Sequence, residues 1–283
     1  MNARDECISE RDYARLCGLI YREAGINLGT EKKTMLEVRI KRRLKELKMD
    51  SYGQYCDYLF GAEGIRNELI PLIDVVTTNK TDFFREPRHF EFLSSKALPE
   101  MADRCGGARH CLVWSAGCST GEEPYTLGIV LSEFALLRPM FRFRLLATDI
   151  STQVLARAEL GVYSESDVEP VTPALRRKYF MRGRDRGLKR LRVVPELRRL
   201  VEFRRLNFMD QNYGVSEKAD AIFCRNVLIY FDRPTQEQIL RKLSSHLLPG
   251  GYLFVGHSET LHDMNLPLRP VAPALYRRTD GGV

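Results

Sequence analysis

The chain has 283 residues, 44% hydrophobic and 29% charged, with a formal net charge of +7. That is enough for one large or two modest domains with cores of their own, and a disordered chain is excluded. No stretch approaches ~18 apolar residues and Met1 to Asp12 is polar with mixed charge, so neither a signal peptide nor a membrane span is expected. Seven cysteines without a Cys-x-x-Cys pair point to reduced thiols in a cytoplasmic protein. Cys111, Cys118 and Cys224 read as small core hydrophobes.

Residues 8 to 76 read as helices. Leu36, Ile40, Leu44 and Leu47 fall at helical spacing, with Arg39, Lys41, Arg42, Arg43 and Lys45 on the other faces. Glu31 to Lys48 carries eight Lys/Arg against three Glu, yet residues 1 to 76 balance at thirteen positive and thirteen negative charges. The basic face is either an ordinary solvated surface or a docking face for an acidic helical partner. Thr77 to Pro87 is then a polar and aromatic connector ending in a helix-breaking proline, which places a domain boundary nearby.

From about residue 90 strands alternate with helices, the pattern of a largely parallel sheet covered on both faces. Strands are expected near 110 to 115, 143 to 148, 201 to 206, 219 to 224 and 251 to 256, with a final pair near 266 to 278. Helices are expected at 123 to 137, 151 to 159 and 234 to 248. Leu160 to Leu200 is too long for a simple connection, and Arg190 to Val194 and Arg198 to Phe203 could form short strands. It reads as an inserted antiparallel subdomain, about 176 to 205. There thirteen Lys/Arg face three acidic residues, a local +10 that exceeds the total for the chain.

The chemistry gathers where strands end. Trp114-Ser115-Ala116-Gly117-Cys118-Ser119-Thr120-Gly121-Glu122-Glu123-Pro124 passes from a buried strand through a small-residue loop to an acidic helix start. It has no Gly-Lys-Ser/Thr and no Gly-x-Gly-x-x-Gly spacing, so a phosphate cradle is excluded. Glu122 and Glu123 would repel a pyrophosphate but suit a cationic or hydroxyl-rich ligand, and S-adenosylmethionine is both. The next strand ends in Asp149-Ile150-Ser151, where a carboxylate can accept both ribose hydroxyls and Ser151 can cap a helix. Asn207-Phe208 can hydrogen-bond and stack against an adenine, or form a turn beside the core. Arg225-Asn226 emerges from a buried apolar strand, where an unpaired Arg would be costly. The five histidines share no ligand spacing with each other or with the cysteines, so no metal is expected. His257-Ser258-Glu259 lacks a Gly-x-Ser-x-Gly elbow and reads as loop-stabilising.

Thr78-Asn79-x-Thr81-x-Phe83-Phe84-Arg85-Glu86, Ser119-Thr120-Gly121-Glu122-Glu123-Pro124-Tyr125, Ala147-Thr148-Asp149-Ile150 and Cys224-Arg225-Asn226-Val227-x-Ile229-Tyr230-Phe231 together resemble the CheR family of chemotaxis-receptor methyltransferases. The resemblance covers nearly the whole chain. It implies an all-α N-terminal domain (1 to 76) and a linker contributing to the cofactor site (77 to 90). A Rossmann-like S-adenosylmethionine-dependent domain (91 to 283) would follow, carrying the inserted β subdomain. The implied activity is methyl transfer to glutamates on the cytoplasmic domains of chemoreceptors, giving glutamyl methyl esters and S-adenosylhomocysteine. Carried onto matching positions, the resemblance puts Asn79, Thr81, Arg85, Gly117 and Glu123 around the cofactor, joined by Asp149, Asn207, Phe208, Arg225 and Asn226. Arg85 and Tyr230 are the candidates for orienting the substrate carboxylate. Receptor helices would meet the basic N-terminal helix, and a receptor C-terminal peptide could pair with the β subdomain. Competing readings are an RNA methyltransferase, suggested by the +10 segment, and a non-catalytic S-adenosylmethionine-binding adaptor. Against the first stand the few interleaved aromatics and the missing Asn-Pro-Pro-Tyr signature. The intact Asn79-to-Arg85 and Arg225-Asn226 motifs speak against the second. The expected partners therefore include no nucleic acid and no inserted membrane.

Overall fold

Four helices open the chain in this computed structural model, which describes residues 7–183 and 189–279. They are α1 (Glu10–Ala24), α2 (Lys33–Leu47), α3 (Tyr52–Leu59) and α4 (Ala62–Val76). Their ends follow local chemistry. The Ser9 and Ser51 hydroxyls accept from the backbone N–H groups of Asp12 and Gln54 as N-caps, and Gly25 closes α1 in the left-handed region at φ 71°. Leu16, Ile20, Leu36, Ile40, Tyr55, Leu59 and Leu72 form a core separate from that of the rest of the chain. One charge pair crosses it: Arg43 forks onto Glu68 with two 2.7 Å hydrogen bonds, while the Tyr55 hydroxyl donates to the same carboxylate at 3.1 Å.

After the connector, α5 (Arg88–Phe92) runs through a π-helical turn at Leu93–Ala97 into α6 (Leu98–Cys105). The main sheet contains β1 (Cys111–Ala116), β2 (Phe143–Asp149), β6 (Val201–Arg205), β7 (Ala219–Cys224), β8 (Leu247–Val255), β9 (Leu268–Ala272) and β10 (Leu275–Arg278). Their order is β6-β2-β1-β7-β8-β10-β9. Neighbours from β6 to β8 pair in parallel, and β10 runs antiparallel to both β8 and β9. The order reverses between β1 and β7, so the carboxyl ends of these two strands frame the ligand crevice expected of such a sheet. All six residues of β1 and of β7 are buried, because helices cover both faces. Helices α7 (Glu122–Leu137), α8 (Thr152–Leu160) and α11 (Arg233–Ser245) follow β1, β2 and β7. No helix among the described residues is long and apolar enough to cross a membrane.

Three sequence expectations need correction. The small antiparallel sheet, of order β3-β5-β4, is built from β3 (Val162–Ser164), β4 (Phe180–Arg182) and β5 (Arg190–Val193), with α9 (Pro173–Tyr179) between its first two strands. Its strands thus start before residue 176 and end before 205. Pro195–Arg198 forms the short helix α10, and Val201–Arg205 joins the main sheet beside β2. The main-sheet strand expected at 201 to 206 is therefore present, and only the alternative strand from Arg198 to Phe203 in the subdomain is not formed. Arg184 and Arg186 of the basic segment lie outside the described residues. Second, α11 ends at Ser245 rather than 248, since Leu247 already pairs with Ala219 of β7. Third, Cys105 and Cys111 are joined in a disulfide with Cα atoms 6.5 Å apart, against the expectation of reduced thiols throughout. Cys118 and Cys224 are free and buried, packed as core residues.

Candidate functional site

The loop after β1 is shaped by one close approach. Gly117 sits at φ 90°, and a Cβ there would stand 2.5 Å from Val227 Cγ2, so only glycine fits between the two loops. Its N–H and that of Cys118 donate to the Thr148 carbonyl at 2.7 and 2.9 Å, tying the loop to the end of β2. The Asp149 carboxylate then accepts from Ser119 N–H at 2.8 Å and from Ser151 N–H at 3.0 Å. Burial raises its carboxyl despite these bonds, and each oxygen retains a lone pair for a further donor. As expected, Ser151 caps α8, accepting from Val154 N–H.

An ion network closes the crevice floor. Arg225, just past β7, donates to Glu123 at 3.0 Å and to Glu86 at 3.1 Å with a side chain only 2% exposed, and also to the Arg85 carbonyl. Ser115 donates to the second Glu123 oxygen at 2.7 Å. Burial raises the Glu123 carboxyl, with the charge of Arg225 and these hydrogen bonds opposing it. For Glu86 burial also pushes upward, but the attraction and hydrogen bond of Arg225 outweigh it and hold the carboxyl below its usual range. Asn226, at φ 57°, donates its amide to Glu86 at 3.3 Å. Glu259 accepts from the N–H groups of Gly256, Asn226 and Leu228 at 2.6, 2.9 and 2.7 Å. It pins the turn after β7, in keeping with the loop-stabilising reading of its tripeptide.

The connector lies across the mouth. Asn79 accepts the Ser119 hydroxyl on its carbonyl at 2.9 Å, and Arg85 donates to the Lys80 carbonyl at 2.9 Å. Tyr230 reaches the Thr78 carbonyl at 3.4 Å. From below, Arg39 of α2 donates to the Val76 and Thr77 carbonyls and to the Thr78 hydroxyl. Asp74 of α4 takes the Thr152 hydroxyl and N–H at the start of α8, at 2.7 and 2.8 Å.

The structure brings all eleven expected residues to one cleft of about 1010 Å³, part of it open to solvent: Asn79, Thr81, Arg85, Gly117, Glu123, Asp149, Asn207, Phe208, Arg225, Asn226 and Tyr230 all line it. They differ in availability. Asn207 gives one amide hydrogen to the Glu23 carbonyl at 2.6 Å and accepts from Met209 N–H, while Phe208 packs edge-on against Tyr213 and Phe231. Sequence reasoning missed the wall that the helical domain supplies through Ala24 and Ile26, and the anchoring work of Glu86 and Ser115. Neither wall residue belongs to a motif; Glu86 did end one, where an acid beside Arg85 was a readable signal.

A parallel sheet with one reversed strand, a glycine cradle a Cβ would fill, and a carboxylate at the end of β2 define a Rossmann-like S-adenosylmethionine-dependent methyltransferase domain behind an all-α domain. The acidic cradle and free carboxylate lone pairs fit that cofactor's sulfonium and ribose. The chain belongs to the CheR family: residues 79–273 match "CheR methyltransferase, SAM binding domain" and residues 11–77 match "CheR methyltransferase, all-alpha domain". It is similar to the chemotaxis protein methyltransferase of Borreliella burgdorferi, 38% identical over 96% of this chain and 95% of that one. It also resembles the enzymes of that name from Salmonella typhimurium, at 41% identity over 91% of this chain and 86% of the relative, and Escherichia coli, at 40% over 89% and 85%.

Proposed function

We propose that this methyltransferase esterifies glutamate side chains on the cytoplasmic helical domains of bacterial chemoreceptors, acting in the cytoplasm. The observation that carries the reading is that neither buried carboxylate of the cleft is free to act as a base, while Asp82 is exposed at its rim. Among the described residues lining the cleft there is no histidine or cysteine, and the carboxylates are Asp82, Glu123 and Asp149. Glu123 is held by Arg225 and Asp149 by backbone N–H groups. An amine or hydroxyl acceptor must lose a proton, whereas a carboxylate is already a nucleophile. S-adenosylmethionine, held by Asp149, Glu123 and the Gly117 loop, supplies an activated methyl group to the incoming oxygen. The remaining work is positioning and partial desolvation. Arg85 pairs with the substrate carboxylate and Tyr230 donates one hydrogen bond to it, both from the rim of the cleft.

The receptor helices meet the basic face of α2, from which Arg39 reaches the connector. In the same reading a receptor C-terminal segment adds to an edge of the β3-β5-β4 sheet. Incubation with methyl-labelled cofactor and receptor-containing membranes tests the main claim. Label should enter receptor protein and leave as methanol in mild alkali; no label on protein, or alkali-stable label, refutes it. Calorimetry with receptor tail peptides tests the second, which falls if no tail binds.

A further inference from the structure

Behind the cleft lies a group of side chains that methyl transfer leaves unused. His89 on α5 is 3% exposed, and neither ring nitrogen has a hydrogen-bond partner among the described residues. Its Nδ1 stands 3.4 Å from Glu86 Oε2. His257, half exposed in the turn after β8, brings Nε2 to 3.9 Å from that same oxygen. One ligand atom from each of the three residues lies within 4.8 Å of the other two. An unmatched buried polar group is destabilising, so a ligand that satisfies His89 relieves that cost.

The chemistry of the trio selects a cation. Two imidazoles and a carboxylate are the donor types that zinc takes. Around a tetrahedral zinc ion with N and O ligands at about 2.0–2.1 Å, neighbouring donors sit roughly 3.4 Å apart. Glu86 and His89 already have that separation, and His257 closes the rest by rotating an exposed side chain. The local charge permits it. Glu86 and Glu123 both contact Arg225, so two carboxylates flank one guanidinium. The cation would share Glu86 Oε2 with Arg225, while Oε1 keeps Asn226.

We infer that Glu86, His89 and His257 form a site for one divalent transition metal of the zinc class, with three protein ligands and a fourth position for water. Sequence spacing conceals it, because His257 lies 171 positions beyond Glu86. The other trio of suitable residues among the described ones, Cys105, Cys111 and Asp220, is committed elsewhere: the cysteines are bridged, and Asp220 pairs with Arg109 at 2.7 Å.

The test is zinc binding by the tag-free, chelator-stripped full chain, in competition with a chromophoric chelator. One equivalent should bind. His257→Gln and His89→Gln should each weaken it at least about 10-fold, and Cys105→Ser/Cys111→Ser should bind as the wild type does. Cobalt in the same site should give the visible bands of nitrogen and oxygen ligation without a thiolate charge-transfer band. Failure of the wild type to compete, equal affinity in His257→Gln, or loss of binding in the cysteine variant would each overturn the inference. His257 is half exposed, so its variant folds even if His89→Gln does not.

Discussion

Glu122 opens α7 beside the cofactor loop, where a first-turn acid ordinarily gains from the helix dipole. It is 6% exposed, its partner is the Thr120 hydroxyl at 2.7 Å, and burial raises its carboxyl to about 7 against the ordinary 4.5. The sign follows from linkage. A carboxyl raised in the folded state stabilises fully below 4.5, and that contribution is lost as pH rises through 7. The gap corresponds to about 3 kcal/mol between pH 4.5 and 8.5, at 1.36 kcal/mol per unit. Glu122→Gln keeps the acceptor for Thr120 and removes the titration. The difference in melting temperature, variant minus wild type, should therefore grow by roughly 6 °C between pH 5 and pH 8.5. Calorimetric melts at the two values measure it, and comparing differences cancels local strain from the amide. A difference that stays flat, or that shrinks as pH rises, would show that Glu122 is charged at little cost and refute the reasoning.

Gly117→Ala should cost about 1–3 kcal/mol, from the strained φ of 90° and the 2.5 Å approach to Val227; titration with S-adenosylhomocysteine should show weakened binding. Arg43→Met leaves Glu68 buried with only Tyr55, and should destabilise the helical domain by about 3–5 kcal/mol in urea unfolding. Arg43→Met/Glu68→Met should recover most of that loss. Tyr230→Phe should lower turnover by about 10- to 100-fold, the worth of one hydrogen bond to a charged group, with cofactor affinity unchanged. Full turnover in Arg85→Ala with unchanged cofactor affinity would remove Arg85 from the substrate role.

The sequence was most legible where physics is local. The strands Cys111–Ala116 and Ala219–Cys224 are buried on both faces, so each reads as a mainly apolar run, interrupted only by Ser115 and Asp220, with its chemistry at the carboxyl end. One helix start was legible through Ser151, whose hydroxyl caps the turn that follows. What stayed hidden depends on partners far along the chain. The limits of the small antiparallel sheet were hidden in this way, since β3 (Val162–Ser164) joins it only through its pairing with Arg190 to Arg192. Glu86 meets Arg225 from 139 positions away, a separation no local pattern encodes. Ala24 and Ile26 are ordinary core residues by composition and become cleft wall only because α1 ends against the loops after β6 and β7.

The connector from Thr77 to Pro87 has little apolar burial beyond Phe83, so packing alone does not set its path. Charge and hydrogen bonding do. Arg225 holds its end through Glu86 and the Arg85 carbonyl, Ser119 holds Asn79, and Arg39 holds its beginning. Two of these anchors belong to the cofactor loops and one to the basic helix α2. A buried pair such as Arg225–Glu86 contributes little net stability, since desolvating both charges offsets their attraction, but breaking it strands a charge. Its effect is to admit a single register for the connector. That register brings Asn79, Thr81 and Arg85 to the cleft while Asp74 caps α8 from the helical side. The helical domain and the methyltransferase domain therefore share one cleft, and a partner seated on α2 stands one arginine away from the residues that line it.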